Sequence, residues 1–339
     1  MNRELAMKVA NAVLYEGYML YPYRPSAIKN WQRWSFGILY PPSYCEVGAG
    51  TERAQMHSEC LVKITSDAKV HVQLRFLHLI TREVAEKTAN GFQRVPSIVV
   101  DGNPGEGWDE GVERSVEFEV AMQGSVRQEF PFNFPGSSET EPLRDAAGAI
   151  VGETKRNQCE VNGTIFVSAS PVRDELFNLS IDVTNTTSFA GDPRDRDSAL
   201  LSSLLSAHTI LTITGGEFIS LLDPPDDLRD DVSQCNNVGN FPVLVGTEGE
   251  RDMMLCSPIV LYDYPQIAPE SAGDFFDGTE MDEMLTLRVM TLTDDEKAEV
   301  SHAGDHVRNL LQRTEASARE QLMRTHGTIR SMRPAGDKP

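Results

Sequence analysis

Positive charge is scarce in this chain: 31 Lys and Arg stand against 51 Asp and Glu in 339 residues, a formal net charge of -20. A field of that sign repels phosphate backbones and anionic lipid surfaces, so neither nucleic acid nor a membrane is an expected partner. No run approaches the roughly 18 apolar residues that a spanning helix needs. The N-terminus shows no apolar stretch ending in a small-residue cleavage site, and a cytoplasmic location is the expectation. Cysteine is sparse as well. Cys45, Cys60, Cys159, Cys235 and Cys256 are odd in number, widely spaced and without a C-x-x-C. That pattern argues against a disulfide framework and suits thiols used as small core hydrophobes.

Signatures of chemistry are missing too. There is no Gly-x-Ser-x-Gly, and no cysteine sits in a context that would favour its thiolate. Asp101–Gly111 is glycine-rich, but a phosphate cradle needs a following helix and no crowd of carboxylates. A calcium loop needs glycine at its sixth position, where Glu106 stands. The stretch reads as a solvated loop. His302 and His306 have the i, i+4 spacing that lets two imidazoles share one metal, with only Asp305 or Glu299 as a nearby third ligand. They are weak metal candidates, since a helix surface with two incidental histidines is the better account. His57-x-x-Cys60 has no second pair to complete it. No His-rich tract or paired cysteine set calls for a cofactor. The reading leans away from an enzyme; its rival is a metal-dependent hydrolase or metal carrier using His302, His306 and carboxylates.

What is present is strand pattern. Val70–Ile80 alternates at first, although its end could equally be helical. Ser115–Val120 alternates more cleanly, and Thr164–Ser170 and Leu176–Thr187 are two further strands across a Pro-containing turn. Asp197 or Ser198 can cap a helix carrying Leu200, Leu201, Leu204 and Leu205 on one face. Ile210–Thr214 is a strand, Gly215-Gly216 a turn, and Asp223-Pro-Pro-Asp-Asp a stop. Together these predict a mainly β (α+β) protein with an antiparallel β-sandwich or barrel-like body over residues 1–292, with a possible sub-boundary near 190–200. Thr293-Asp-Asp-Glu296 and Ser317-Ala-Arg-Glu320 are capping boxes, and Val300, Ala303, Val307, Leu310 and Leu311 recur at helical spacing. A C-terminal helical hairpin over 293–330 is expected, followed by a disordered tail, 331–339.

The aromatic residues are unevenly placed. Six of eight tyrosines and two of three tryptophans fall between residues 15 and 44, and the last two tyrosines are Tyr262 and Tyr264. Residues 1–35 hold five cations against two carboxylates, net +3, which leaves -23 for the remainder. One reading is structural: aromatics favour strands, and Pro22, Pro25, Pro41 and Pro42 mark edges and turns. The other is a partner-binding face of Tyr21, Tyr23, Arg24, Lys29, Asn30, Trp31, Arg33, Trp34, Tyr262 and Tyr264, because Tyr, Trp and Arg are enriched at interface hot spots.

Three stretches carry a resemblance. Val13–Asn30 (V-L-Y-E-G-Y-M-L-Y-P-Y-R-P-S-A-I-K-N), Phe241–Asp252 (F-P-V-L-V-G-T-E-G-E-R-D) and Ser257–Glu270, continuing through Leu292–Lys297, resemble uncharacterised bacterial proteins encoded in NiFe-hydrogenase gene clusters. The resemblance implies an accessory role in making or supporting that enzyme, with a hydrogenase subunit or maturation protein as partner. It assigns no catalytic residue.

Overall fold

The computed structural model describes residues 2–15, 36–47, 51–107, 109–192 and 194–266. The hairpin and tail expected over 293–339, with His302 and His306, lie outside those residues. In chain order the elements are α1 (Asn2–Tyr15), α2 (Pro42–Cys45), β1 (Gln55–Thr88), β2 (Gly91–Val95), β3 (Ser97–Val100), β4 (Asn103–Glu106), β5 (Glu110–Ala121), β6 (Val126–Phe134), β7 (Ser137–Arg144), β8 (Ile150–Gln158), β9 (Val161–Arg173), β10 (Leu176–Asn185), α3 (Arg196–Leu200), β11 (Leu205–Phe218), a 3-10 turn (Asp226–Leu228), α4 (Arg229–Ser233), β12 (Phe241–Leu244) and β13 (Met253–Ser257).

Eleven of these strands form one antiparallel sheet that curls into a half-barrel, and β3 and β4 form a separate hairpin. The organiser is β1, 34 residues long. Its start pairs with β10 through Gln55–Lys63, its middle with β5 through Lys69–Ile80, and its end with β8 through Ile80–Glu86 and β2 through Val84–Thr88. β11 runs along the opposite side of its middle. The stretch whose end could have been helical is therefore strand throughout. Between Ile64 and Lys69 the ladder slips and the strand turns a corner. β11 follows it there because Gly215 adopts φ +70°, and a Cβ at that position would lie 2.9 Å from Thr65 Oγ1. So Gly215-Gly216 does not end the strand, as the sequence suggested; it lets β11 bend and continue to Phe218.

Folding at that corner sets β6–β9–β10 against β5–β1–β11. The inward alternation Val70, Val72, Leu74 and Phe76 is fully buried, and it meets Ile165, Val167, Leu179, Ile181 and Val183 from the opposing strands. Phe130, Phe132 and Phe134 of β6 fill the margin of the same core. Cys60 and Cys256 belong to that core as small hydrophobes, while Cys159 is exposed.

Helix α1 covers the outer face of β11–β13. Ala6, Val9, Ala10 and Val13 recur at helical spacing and pack on Ile210, Val243, Val245, Met253 and Leu255. Asn2 pins its start by accepting from the Thr247 amide at 2.6 Å and donating to Asp252. The short helix α3 is capped by Asp195, whose carboxylate accepts from Ser198 N at 3.2 Å. The cap thus lies before Asp197 or Ser198, and Leu204 and Leu205 belong to the following bridge and strand rather than to the helix. The glycine-rich stretch after Asp101 contributes β4 of the β3–β4 hairpin instead of an open loop.

Candidate functional site

Residues 36–40 and 51–53 run side by side and, with Met56, Arg196, Asp197, Gly239, Phe241 and Pro258, line a cleft of 740 Å³. Its wall is held by main-chain bonds on both flanks. Leu39 exchanges N–H···O bonds with Leu204 at 2.9 and 3.1 Å, and the Tyr40 amide donates to Arg53 O at 2.9 Å. Behind it, buried Asn185 donates to Leu39 O at 2.8 Å and Ser202 O at 2.9 Å, and accepts from Thr187 N at 2.9 Å. Three satisfied bonds on a fully buried amide make this wall specific rather than merely sticky.

The cleft is mixed in chemistry. Leu39 and Met56 are buried beneath it, whereas Phe36 and Phe241 remain 40% and 46% exposed at its mouth. Arg53 and Arg196 supply two cations, Glu52 and Asp197 two anions. Arg53 lies flat against Gly239, where φ is +83° and a Cβ would stand 2.7 Å from Nη1. Tyr40 stacks on Tyr44 at 4.8 Å, and Phe189 meets Tyr44 edge-on at 6.3 Å. Burial raises the Tyr40 hydroxyl's pKa, and the Arg196 guanidinium beside it offsets part of that rise. Apolar walls with a few convergent charges are what a ligand or side-chain pocket needs.

The expected aromatic face divides. Tyr21, Tyr23, Arg24, Lys29, Asn30, Trp31, Arg33 and Trp34 lie outside the described residues. Tyr262 is 86% exposed, with Val260 at 70% nearby in sequence. Tyr264 is bound into the fold: its hydroxyl donates to Glu250 O at 2.9 Å and its amide to Leu244 O at 2.7 Å. Asp263 accepts from the Leu244 amide at 2.8 Å. Leu244 is the end of edge strand β12, so Asp263 and Tyr264 close that edge together with Pro242, which has no N–H to offer. Sequence reasoning missed the cleft because its lining comes from five separated segments, none of which carries a motif.

Three histidines, His57, His78 and His208, sit in two contrasting environments. His57 sits between two carboxylates, Nδ1 at 2.7 Å from Asp182 and Nε2 at 3.3 Å from Glu59. Both ring nitrogens therefore face a carboxylate. No group of three metal-ligating side chains occurs among the described residues. Burial pulls the His57 pKa down, but Asp182 and then Glu59 outweigh it and hold the imidazole above its usual range. Its stabilisation is therefore complete below about pH 6.5 and is lost as pH climbs through the higher value in the folded state. The urea midpoint gap between wild type and His57→Leu should narrow from pH 6 to pH 9; a gap that widens would put the proton elsewhere. His78 and His208 are the opposite case, fully buried with their pKa values lowered to about 4, burial being the main cause and the nearby cations Arg114 and Arg75 adding to it.

No protein-family model matches the chain, and no curated protein matches it. Among solved structures the chain is similar to the secretin InvG of the Salmonella SPI-1 type III secretion injectisome in its open gate state, at 11% identity and a TM-score of 0.10 over 58% of this chain. The match spans about half, 49%, of that secretin chain. A likeness this slight carries no argument about fold or function. No helix among the described residues is long and apolar enough to cross a membrane.

Proposed function

We propose that this protein is a non-catalytic accessory factor of the cytoplasm that binds another protein through the cleft. The observation that carries this reading is the lining itself. Two arginines and two half-exposed phenylalanines converge on an apolar floor of Leu39 and Met56. Arginine and aromatic residues around a pocket that can be dehydrated are the composition of an interface hot spot. The resemblance to proteins of NiFe-hydrogenase gene clusters supplies the partner: a hydrogenase subunit or one of its maturation proteins. The strong negative charge of the remaining surface favours a partner with a basic face.

Arg53→Ala and Phe241→Ala both leave buried contacts of the sheet untouched. Each should weaken capture of the hydrogenase subunit at least tenfold, in line with hot-spot truncations of about 2 kcal/mol. Co-purification of tagged wild type and variants with each subunit, quantified by mass spectrometry, decides it. Equal capture by all three proteins, or none by wild type, removes the basis of the reading.

A further inference from the structure

The strand edges of this sheet are not alike. On β12 the edge is closed by Pro242, Asp263 and Tyr264. Pro131 interrupts β6 and Pro142 interrupts β7, each at the rim of the sheet. Prolines on edge strands are a standard guard against pairing with other chains, because they remove donors from the exposed row. β5 differs: it has 12 residues, contains no proline and, among the described residues, pairs only with β1. Among the described residues, none of Val112–Ala121 makes a main-chain hydrogen bond on the side away from β1.

We propose that the free edge of β5 is a strand-addition site for an extended segment of a partner protein that alternates apolar with basic residues. Every second side chain of β5 faces the core, where Val116 and Phe118 are half-buried and Phe118 stacks on Phe130 at 3.7 Å. An added strand lays its inward side chains on the rims of these rings. The intervening residues Glu113, Ser115, Glu117 and Glu119 point outward and are exposed. On their β1 side the carboxylates already meet Arg75, His71 and Lys69. Glu113 also accepts from the Tyr15 hydroxyl of α1 at 2.6 Å, but away from β1 Glu117 and Glu119 meet no cation among the described residues, so lysine or arginine directly opposite them is favoured and a carboxylate there is penalised. The same charges argue against a second copy of this chain. Antiparallel β5 against β5 sets glutamates of one strand beside glutamates of the other. Main-chain bonds would give affinity and the alternating pattern specificity. This surface is separate from the cleft, and either can fail without the other.

Fluorescence anisotropy with the full-length protein tests the site, using an acetylated octapeptide of alternating lysine and valine as probe. Its Kd should be at least tenfold lower than that of the alternating glutamate–valine peptide. It should also be tenfold lower than that of the lysine–valine peptide N-methylated at its two central residues, which keeps the charge but cannot join a ladder. A Glu117→Lys/Glu119→Lys protein should reverse the preference, and Arg53→Ala in the cleft should leave it unchanged. Equal binding of the N-methylated peptide would reduce the effect to charge attraction and overturn the proposal, whether or not the double lysine variant folds. A failure of the folded lysine variant to reverse the preference would overturn it too, as would a concentration-dependent dimer in sedimentation, which assigns the edge to a second copy.

Discussion

Taking the protein from pH 7 to pH 4 should cost about 6 kcal/mol of stability through two histidines alone, at roughly 1.4 kcal/mol per unit of pKa displacement and with each site half-protonated in the folded protein at pH 4. His78 and His208 are fully buried and titrate at about 4 in the folded protein, against about 6.5 in an unfolded chain. The sign follows from which state takes the proton first. Below pH 6.5 the unfolded chain binds protons that the folded protein refuses, so the stability these residues allow is complete above pH 6.5. It is lost progressively as pH falls through 4. His208 donates from Nδ1 to Ser206 O at 2.8 Å and lies directly across the ladder from Arg75, so a second positive charge there is opposed as well as desolvated. His78 is opposed in the same way by Arg114. Two effects run the other way: His57 gains by protonation, and self-repulsion from the net charge of -20 fades toward the sequence pI of about 4.7. Comparing variants removes these shared contributions. His208→Asn keeps a donor for Ser206 O, and His78→Leu removes a buried ring whose nitrogens make no hydrogen bond of ordinary length among the described residues. The double variant should show a flatter urea-denaturation profile between pH 7 and pH 4 than wild type. An unchanged slope would mean that neither histidine is neutral and buried in the folded state.

How far the sequence could lead is best seen element by element. The strands of β5, β9 and β10 were legible because each buries one face, and a period of two then shows directly in the residues. In β1 the period blurs past Phe76, since Leu77 and Leu79 are buried along with Phe76 and His78. A strand covered on both faces carries no alternation to read. Helix α1 was not read, although Ala6, Val9, Ala10 and Val13 are spaced for it, because small residues make a weak apolar stripe. Gly215-Gly216 looks like a turn until the neighbouring strand is known to bend at the same level. The cleft was out of reach for a different reason: Arg53, Arg196, Gly239 and Phe241 are brought together by bridges such as Leu39 to Leu204 and His57 to Val238, which link segments far apart in the chain. Tyr264 shows the limit of composition. It is aromatic and near the surface, yet its amide and hydroxyl both serve to close an edge.

Phe76→Ala should cost about 3–5 kcal/mol, the range for deleting a large buried aromatic ring. Phe76 is fully buried in β1 at the level where the two limbs of the curled sheet meet, 5.6 Å from Phe134 and 6.1 Å from Phe132 of β6. Its neighbours are anchored by their own ladders, β1 to β5 and β6 to β9, so they have little freedom to collapse into the vacated space. Phe92 of β2, 45% exposed, gives the contrast: its replacement by alanine should change stability by no more than about 0.5 kcal/mol. The informative measurement is a double-mutant cycle between Phe76 and Phe134, read by chemical denaturation at pH 8, where His78 and His208 are neutral in both states. Edge-to-face rings in contact should couple by about 0.5–1.5 kcal/mol. These residues are 58 positions apart in sequence and are not ladder partners, so coupling can arise only if the corner at Ile64–Lys69 folds one limb of the sheet onto the other. A coupling energy of zero, with each single variant still folded, would mean that the limbs do not meet there and that the half-barrel is open at its centre.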